Sequence, residues 1–290
     1  MKTYLDCLPC FLRQPLEASR LATVDEAVHA KVLSEVLAYL QNMPYHRPPP
    51  AIARDVQSLV KTITGCKDPY KEIKLKSNRM VEDLLPQLEK TIKKSKDPLR
   101  ETIKYAIIGN VIDYGSAHRF KLEDMIDASC EFDIDSEVYN YFKEQLKSAN
   151  TVLYLVDNAG EIFFDKLLIK HLKELGKKVI VAVKSQPILN DATEEDAQLA
   201  NLKDYAYVIC ADNGKQPSAP GVLLSDASQE FLDFFDSADL VISKGQGNYE
   251  SLDLSEREIF FMLVVKCPLV SSHLKSSVGD LIFTVNIHDT

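Results

Sequence analysis

Up to about residue 150 the apolar positions recur at spacings of three and four. Beyond it they come in short runs separated by helix-like stretches. The first pattern is that of amphipathic helices, and it predicts helices over 10–21, 24–40, 51–64, 69–91, 98–111, 121–128 and 136–148. The run MPYHRPPP at 43–50 breaks the pattern, because proline cannot continue a helix and restricts the residue before it. Helical spacing resumes at once, so the run reads as a loop between helices and not as a linker.

After residue 150 the apolar runs are too short for helices and too apolar for loops, as buried parallel strands are. They predict strands over 151–156, 178–183, 205–210, 240–243, 260–266 and 280–285, with helices over 161–175, 194–201, 226–236 and 255–258. Alternation of this kind builds βαβ units and a parallel sheet. The expected fold is α/β: an all-helical region over 1–149, then a Rossmann-like three-layer αβα region over 150–290 with a mainly parallel sheet. The active site is expected where the two regions meet. No internal repeat or low-complexity segment is present.

Composition narrows the function. The chain of 290 residues, 46% hydrophobic, has enough apolar material for a large core. Its net charge of −9, without a basic stripe, argues against nucleic acid as a partner. No run of apolar residues is long enough to cross a membrane. The first residues, MKTYLDCLPCF, lack the apolar centre of a signal peptide, so a cytoplasmic location is expected. Six cysteines in a chain of this length do not form a disulfide framework. Oligomeric state is open.

The chemistry gathers at the strand ends, where ligands bind in open α/β sheets. Asp157, Asn158 and Glu161 follow the first predicted strand. Asn190 and Asp191 lie in the loop after the second, Asp212 and Asn213 after the third, and Lys244-Gly245-Gln246-Gly247-Asn248 after the fourth. Lys266 closes the fifth. Any one of these could be a turn former or helix cap, and either lysine a solvated side chain. Together they place acids, amides and two lysines on one edge, without histidine. That set suits an oxygen-ligated divalent cation with phosphate beside it. Gly245 to Asn248 could offer backbone N–H groups to phosphate. The segment is neither a Walker A loop nor a G-x-G-x-x-G fingerprint, since Glu250 stands where the third glycine belongs. P-loop nucleotide hydrolysis and nicotinamide chemistry lose support accordingly. No histidine pairs with serine or cysteine in a nucleophile motif, which disfavours acyl transfer.

Several motifs in order resemble the damage-control phosphatase family: Asp157-Asn-Ala-Gly-Glu161, the 187–193 segment PILNDAT, Lys244-Gly-Gln-Gly-Asn248-Tyr-Glu250, Asp68-Pro-Tyr-Lys-Glu-Ile-Lys74 and Gly109-Asn110-Val-Ile-Asp113. The opening Cys7-Leu-Pro-Cys10 resembles the stand-alone prokaryotic-type branch. The resemblance covers the whole chain. It implies a metal-dependent phosphatase acting on small phosphorylated metabolites, with Asp157, Asn158 and Asp191 as metal ligands and Lys266 on the phosphate. The cofactor it implies is a divalent ion: Mn²⁺, Co²⁺, Ni²⁺ or Mg²⁺. Asp157 is expected in catalysis, with either its carboxylate or metal-bound water as the attacking group. Asn110, Asp113, Glu161, Lys244, Gly245 and Asn248 are expected on the substrate side of the pocket. Eukaryotic relatives carry an acid and an arginine where this chain has Gln246 and Glu250, so substrate contacts at those positions do not transfer. A non-catalytic phosphometabolite- or nucleotide-binding protein is the alternative.

Cys7 and Cys10 could bind a second metal, serve redox chemistry, or simply pack as small apolar thiols. No second C-x-x-C exists to complete a structural zinc site.

Overall fold

The computed structural model describes residues 1–110 and 133–286. The helix expected at 121–128 lies outside the described residues, as does Asp113.

The helical region begins with α1 (Leu8–Ala22), α2 (Glu26–Leu40) and α3 (Pro49–Thr64), which enclose their own core around Phe11, Val32, Val36, Ile52 and Val56. Asp25 caps α2 by accepting from the Ala27 N–H, which moves its start two residues past the expected one. The proline run belongs partly to α3. Pro49 and Pro50 occupy its first turn, where a missing N–H costs nothing and the fixed φ favours the helix.

The single helix expected over 69–91 is two: α4 (Lys71–Glu82) and α5 (Leu85–Lys94). The break sits where Pro86 enters the first turn of α5, since proline withholds the hydrogen bond a continuous helix needs. Helices α6 (Pro98–Gly109) and α7 (Ser136–Ser148) follow.

The second region is a six-stranded sheet in the order β3-β2-β1-β4-β5-β6. The strands are β1 (Thr151–Leu155), β2 (Lys178–Val183), β3 (Tyr207–Cys210), β4 (Leu240–Lys244), β5 (Phe260–Val264) and β6 (Leu281–Val285). All pairs are parallel except β5 with β6. Between them run α8 (Glu161–Glu174), α9 (Glu194–Leu199), α10 (Gln229–Ser237), α11 (Gln246–Leu252) and α12 (Pro268–Leu274).

Strand residues alternate strictly between two cores, as the period of a pleated strand requires. Val152, Tyr154, Val181, Ile242 and Met262 face the layer holding α6, α7 and α8. Leu153, Leu155, Ile180, Val241 and Phe261 face the layer holding α10 and α11. The first of these cores runs without interruption from α6 into α8 and the sheet, so the helical region is anchored on one sheet face.

Three expectations in this half are corrected. Residues 255–258 form no helix. The helix expected over 226–236 starts at Gln229, because Ser228 caps it by accepting from the Phe231 N–H. Two short helices were not expected: α11 stands on the glycine-rich segment and α12 follows β5.

Candidate active site

The strand order reverses between β1 and β4, so the loops after these two strands diverge and leave a crevice at the carboxyl edge. Asp157 leaves β1 there, and Gly245 leaves β4 opposite it. Gly245 has φ 82° and ψ 158°, a backbone region that is essentially glycine-only. A Cβ at this position would overlap the Asp157 carboxylate. The glycine is therefore the space into which the acid fits.

The loop carrying Asp157 and Asn158 is zipped to the loop carrying Asp191. The Ala192 N–H donates to Asp157 O at 2.8 Å, the Ala159 N–H donates to Asn190 O at 2.9 Å, and Asn158 and Asp191 form an antiparallel bridge. Two residues of the helical region reinforce the arrangement. Asn78 accepts from the Gly160 N–H at 2.6 Å and donates to Asp196 at 2.8 Å. Lys74 lies 3.3 Å from Asp68 and 3.6 Å from Asp196. The Asp68 to Lys74 motif thus joins the helical region to α9, the helix that follows the loop bearing Asp191.

Asp157, Asn158 and Asp191 come together on the wall of one cavity of about 170 Å³. Lys266 lines the same cavity, as do Cys7, Cys10 and Cys267, with Gln246 and Glu250 beside them. Phe11, Pro49, Pro50, Leu189, Pro220 and Leu269 supply apolar wall. Asp157 Oδ2 accepts from Asn110 Nδ2 and from Asn158 Nδ2, each at 2.8 Å. Lys184 lies 3.6 Å from Asp191 Oδ2.

The three side chains offer donors of the kind a divalent cation takes. Two carboxylates and one amide are hard oxygen donors and fit such an ion. Among the described residues no three His, Cys, Asp or Glu side chains converge closely enough to hold a metal by themselves, so the Asn158 amide is needed to complete a protein triad.

The other residues expected on the substrate side, among those described, do not line the cavity. Lys244 is fully buried, and its ammonium donates to Ala106 O, Glu161 and Asp165. Glu161 is buried beneath Asn158 and accepts from Asn110, Asn158 and Lys244. Asn248 is 1% exposed, accepts from the Val222 N–H and donates to Val156 O and Lys244 O, which ties three loops together. The Gly245 N–H donates to Met262 O within the sheet and is not offered to phosphate. Gly247 lines the cavity but presses against the backbone of Pro220 and Gly221, so its missing side chain serves backbone packing. Asn110 is also buried, with its amide nitrogen on two carboxylates and its oxygen accepting from the Val264 N–H, so it braces the acids and does not wall the pocket.

Sequence reading missed Glu250, Asp165, Lys184 and Cys267. Burial pushes the Glu250 carboxyl up to about 7, with Asp253 and Asp157 adding to the shift. Burial likewise pushes the Cys7 thiol up to about 11, with Glu250, Cys267 and Cys10 adding to it, so at neutral pH it is a thiol. Asp165 stands one helical turn after Glu161, a spacing that puts both carboxylates on one face of α8.

Burial pushes Asp165 up to about 7, against the pull of Lys244 and with the help of Glu161. An unfolded aspartate loses its proton near pH 4. Between these values the folded chain holds the extra proton, so this group makes stability fall as pH rises from about 4 to 7. Asp165→Asn removes that contribution. Urea unfolding at pH 5 and pH 8 is expected to show wild type losing more stability than the variant across the interval. Equal losses would contradict the assignment.

Fold and cavity define a Rossmann-like α/β protein with an oxygen-rich site at the topological switch point. The damage-control phosphatase ARMT1-like domain matches residues 3–282, and the chain belongs to that family. It is 33% identical over 283 residues to a damage-control phosphatase of Archaeoglobus fulgidus, covering 96% of this chain and 97% of that one. It is also 33% identical over 290 residues to damage-control phosphatase PH1575 of Pyrococcus horikoshii, with 97% of each covered. The crystal structure of that Pyrococcus protein, described as a DUF89 family member, superposes with a TM-score of 0.87 at 32% identity, covering 99% of this chain and all of that one.

Proposed function

We propose that this chain hydrolyses phosphate monoesters of small metabolites, with a divalent cation held by Asp157, Asn158 and Asp191. The observation that carries the reading is the convergence of these three side chains at the switch point, with Lys266 on the same cavity. The naming of two relatives as damage-control phosphatases supports it.

Bound there, a divalent ion would polarise a phosphoryl oxygen and offset charge developing in the transition state. Lys266 neutralises a second oxygen. The apolar walls exclude water from the remainder of the substrate, and Gln246 and Glu250 are placed to meet its hydroxyl groups. Asn110 and Asn158 hold Asp157 by the same carboxylate oxygen, which fixes how its other oxygen is aimed. The nucleophile would be either that carboxylate or a water molecule.

Hydrolysis of an aryl phosphate is expected to vanish after chelation and dialysis, and to return with Mn²⁺, Co²⁺, Ni²⁺ or Mg²⁺. Undiminished turnover without metal would reject the cation. Binding of phosphorylated metabolites without turnover in every metal would reject the enzyme and leave a binding protein.

A further inference from the structure

Behind the cavity wall lies a chain of contacts that begins at Lys244. Its side chain is 0% exposed. An ammonium has three N–H donors, and here they meet Ala106 O at 2.8 Å, Glu161 Oε1 at 2.6 Å and Asp165 Oδ1 at 2.6 Å. The other Glu161 oxygen accepts from Asn110 Nδ2 at 2.8 Å and Asn158 Nδ2 at 3.0 Å. The same two amide nitrogens also meet Asp157 Oδ2.

An ionised carboxylate only accepts hydrogen bonds. Two carboxylates on one side therefore oblige both amides to turn their NH₂ groups that way. The Asn110 oxygen is then used by the Val264 N–H at 3.0 Å. Asn158 lines the cavity, and the nitrogen of its amide is the atom turned to the two carboxylates. An amide turned the other way would set two N–H donors against a cation.

We propose that Lys244 is a positioning residue: by holding Glu161 as an acceptor, it fixes the Asn158 amide so that oxygen, and not NH₂, is offered to a cation in the cavity. The proposal rests on the cation-binding reading of that cavity. Burial works against the Lys244 charge, yet Asp165 and Glu161 together hold its pKa above the ordinary lysine value.

The test is calorimetric titration of metal-free protein with Mn²⁺ for wild type, Lys244→Met, Glu161→Gln and the double variant, with a thermal melt of each to establish folding. Lys244→Met keeps the stem and removes the charge. Glu161→Gln keeps the shape and introduces an NH₂ group that can face the amides. Each is expected to bind Mn²⁺ about 10- to 100-fold more weakly, as losses of residues that orient metal ligands do. The double variant is expected to bind no more weakly than the weaker single one, because both break one link. Turnover should recover at high Mn²⁺ with little change in KM for the phosphate ester. A folded Lys244→Met or Glu161→Gln that binds Mn²⁺ like wild type would overturn the proposal, as would losses that add in the double variant. If Lys244→Met does not fold, Glu161→Gln decides by the same criterion. Wild type that binds no Mn²⁺ would remove the cation reading and the proposal with it, a result distinct from an unaffected variant.

Discussion

Asp157→Ala is expected to lower phosphatase turnover at least about a thousandfold, at or beyond the loss of a single oxyanion-hole donor, while leaving the metal-free protein as stable as wild type or more so. Both halves follow from one place in the fold. Asp157 is 8% exposed, and its Oδ2 shares the Asn110 and Asn158 nitrogens with buried Glu161. Like charges gathered at low dielectric oppose one another, so deleting one relieves the folded state. The Asn110 and Asn158 nitrogens keep Glu161 as an acceptor after the change. Activity on an aryl phosphate with Mn²⁺, and a thermal melt in chelator, read the two quantities separately. A variant with a tenth of wild-type turnover would remove Asp157 from the centre of the reaction. A collapse of the melting temperature would make it a structural residue.

Gly245→Ala is the second large effect. The backbone region held by Gly245 costs a side-chain-bearing residue about 1–3 kcal/mol, and the added methyl would also overlap the Asp157 carboxylate. Either the strand end shifts or the acid is displaced, so stability and activity should fall together. At roughly 2–4 °C per kcal/mol for a large domain, the backbone term alone is worth several degrees in Tm. Gly247→Ala separates the two causes. It meets the Pro220 carbonyl and not Asp157, so it should lower Tm with a smaller loss of turnover per molecule folded. A Gly245→Ala protein that melts and turns over like wild type would contradict the packing described.

Much of this was legible in the chain. The strand at 178–183 is read residue for residue, because a run of β-branched residues bounded by lysines admits little else. The mainly parallel sheet follows from the alternation of elements, and the family from its motifs. Asp157 and Asn158 begin the loop after β1, Asp191 lies in the loop after β2, and the two loops pair on one cavity wall.

What escaped was direction. Lys244, Asn248 and Glu161 stand at the right edge, but position along a chain does not say whether a side chain faces out over the edge or back into the layers. For Lys244 a signal existed. It follows Leu240 and Ile242 at intervals of two, and both belong to the core beneath α8, so the same period turns the lysine inward. Short helices escaped for another reason. Residues 246–252 carry a glycine and little apolar periodicity, and α11 is held by what packs on it.

The cavity also sets an order of events during synthesis. Cys7 and Phe11 come before the rest of the cavity in the chain, the Asp157 to Asp191 wall comes in the middle, and Lys266 to Leu269 come last. A nascent chain halted after α9 would hold the three oxygen donors but not Lys266, and one halted before residue 266 would leave the cavity with an open side. Turnover therefore requires all three stretches, and two separately made fragments split near residue 215 should be inert apart and active only once reassembled.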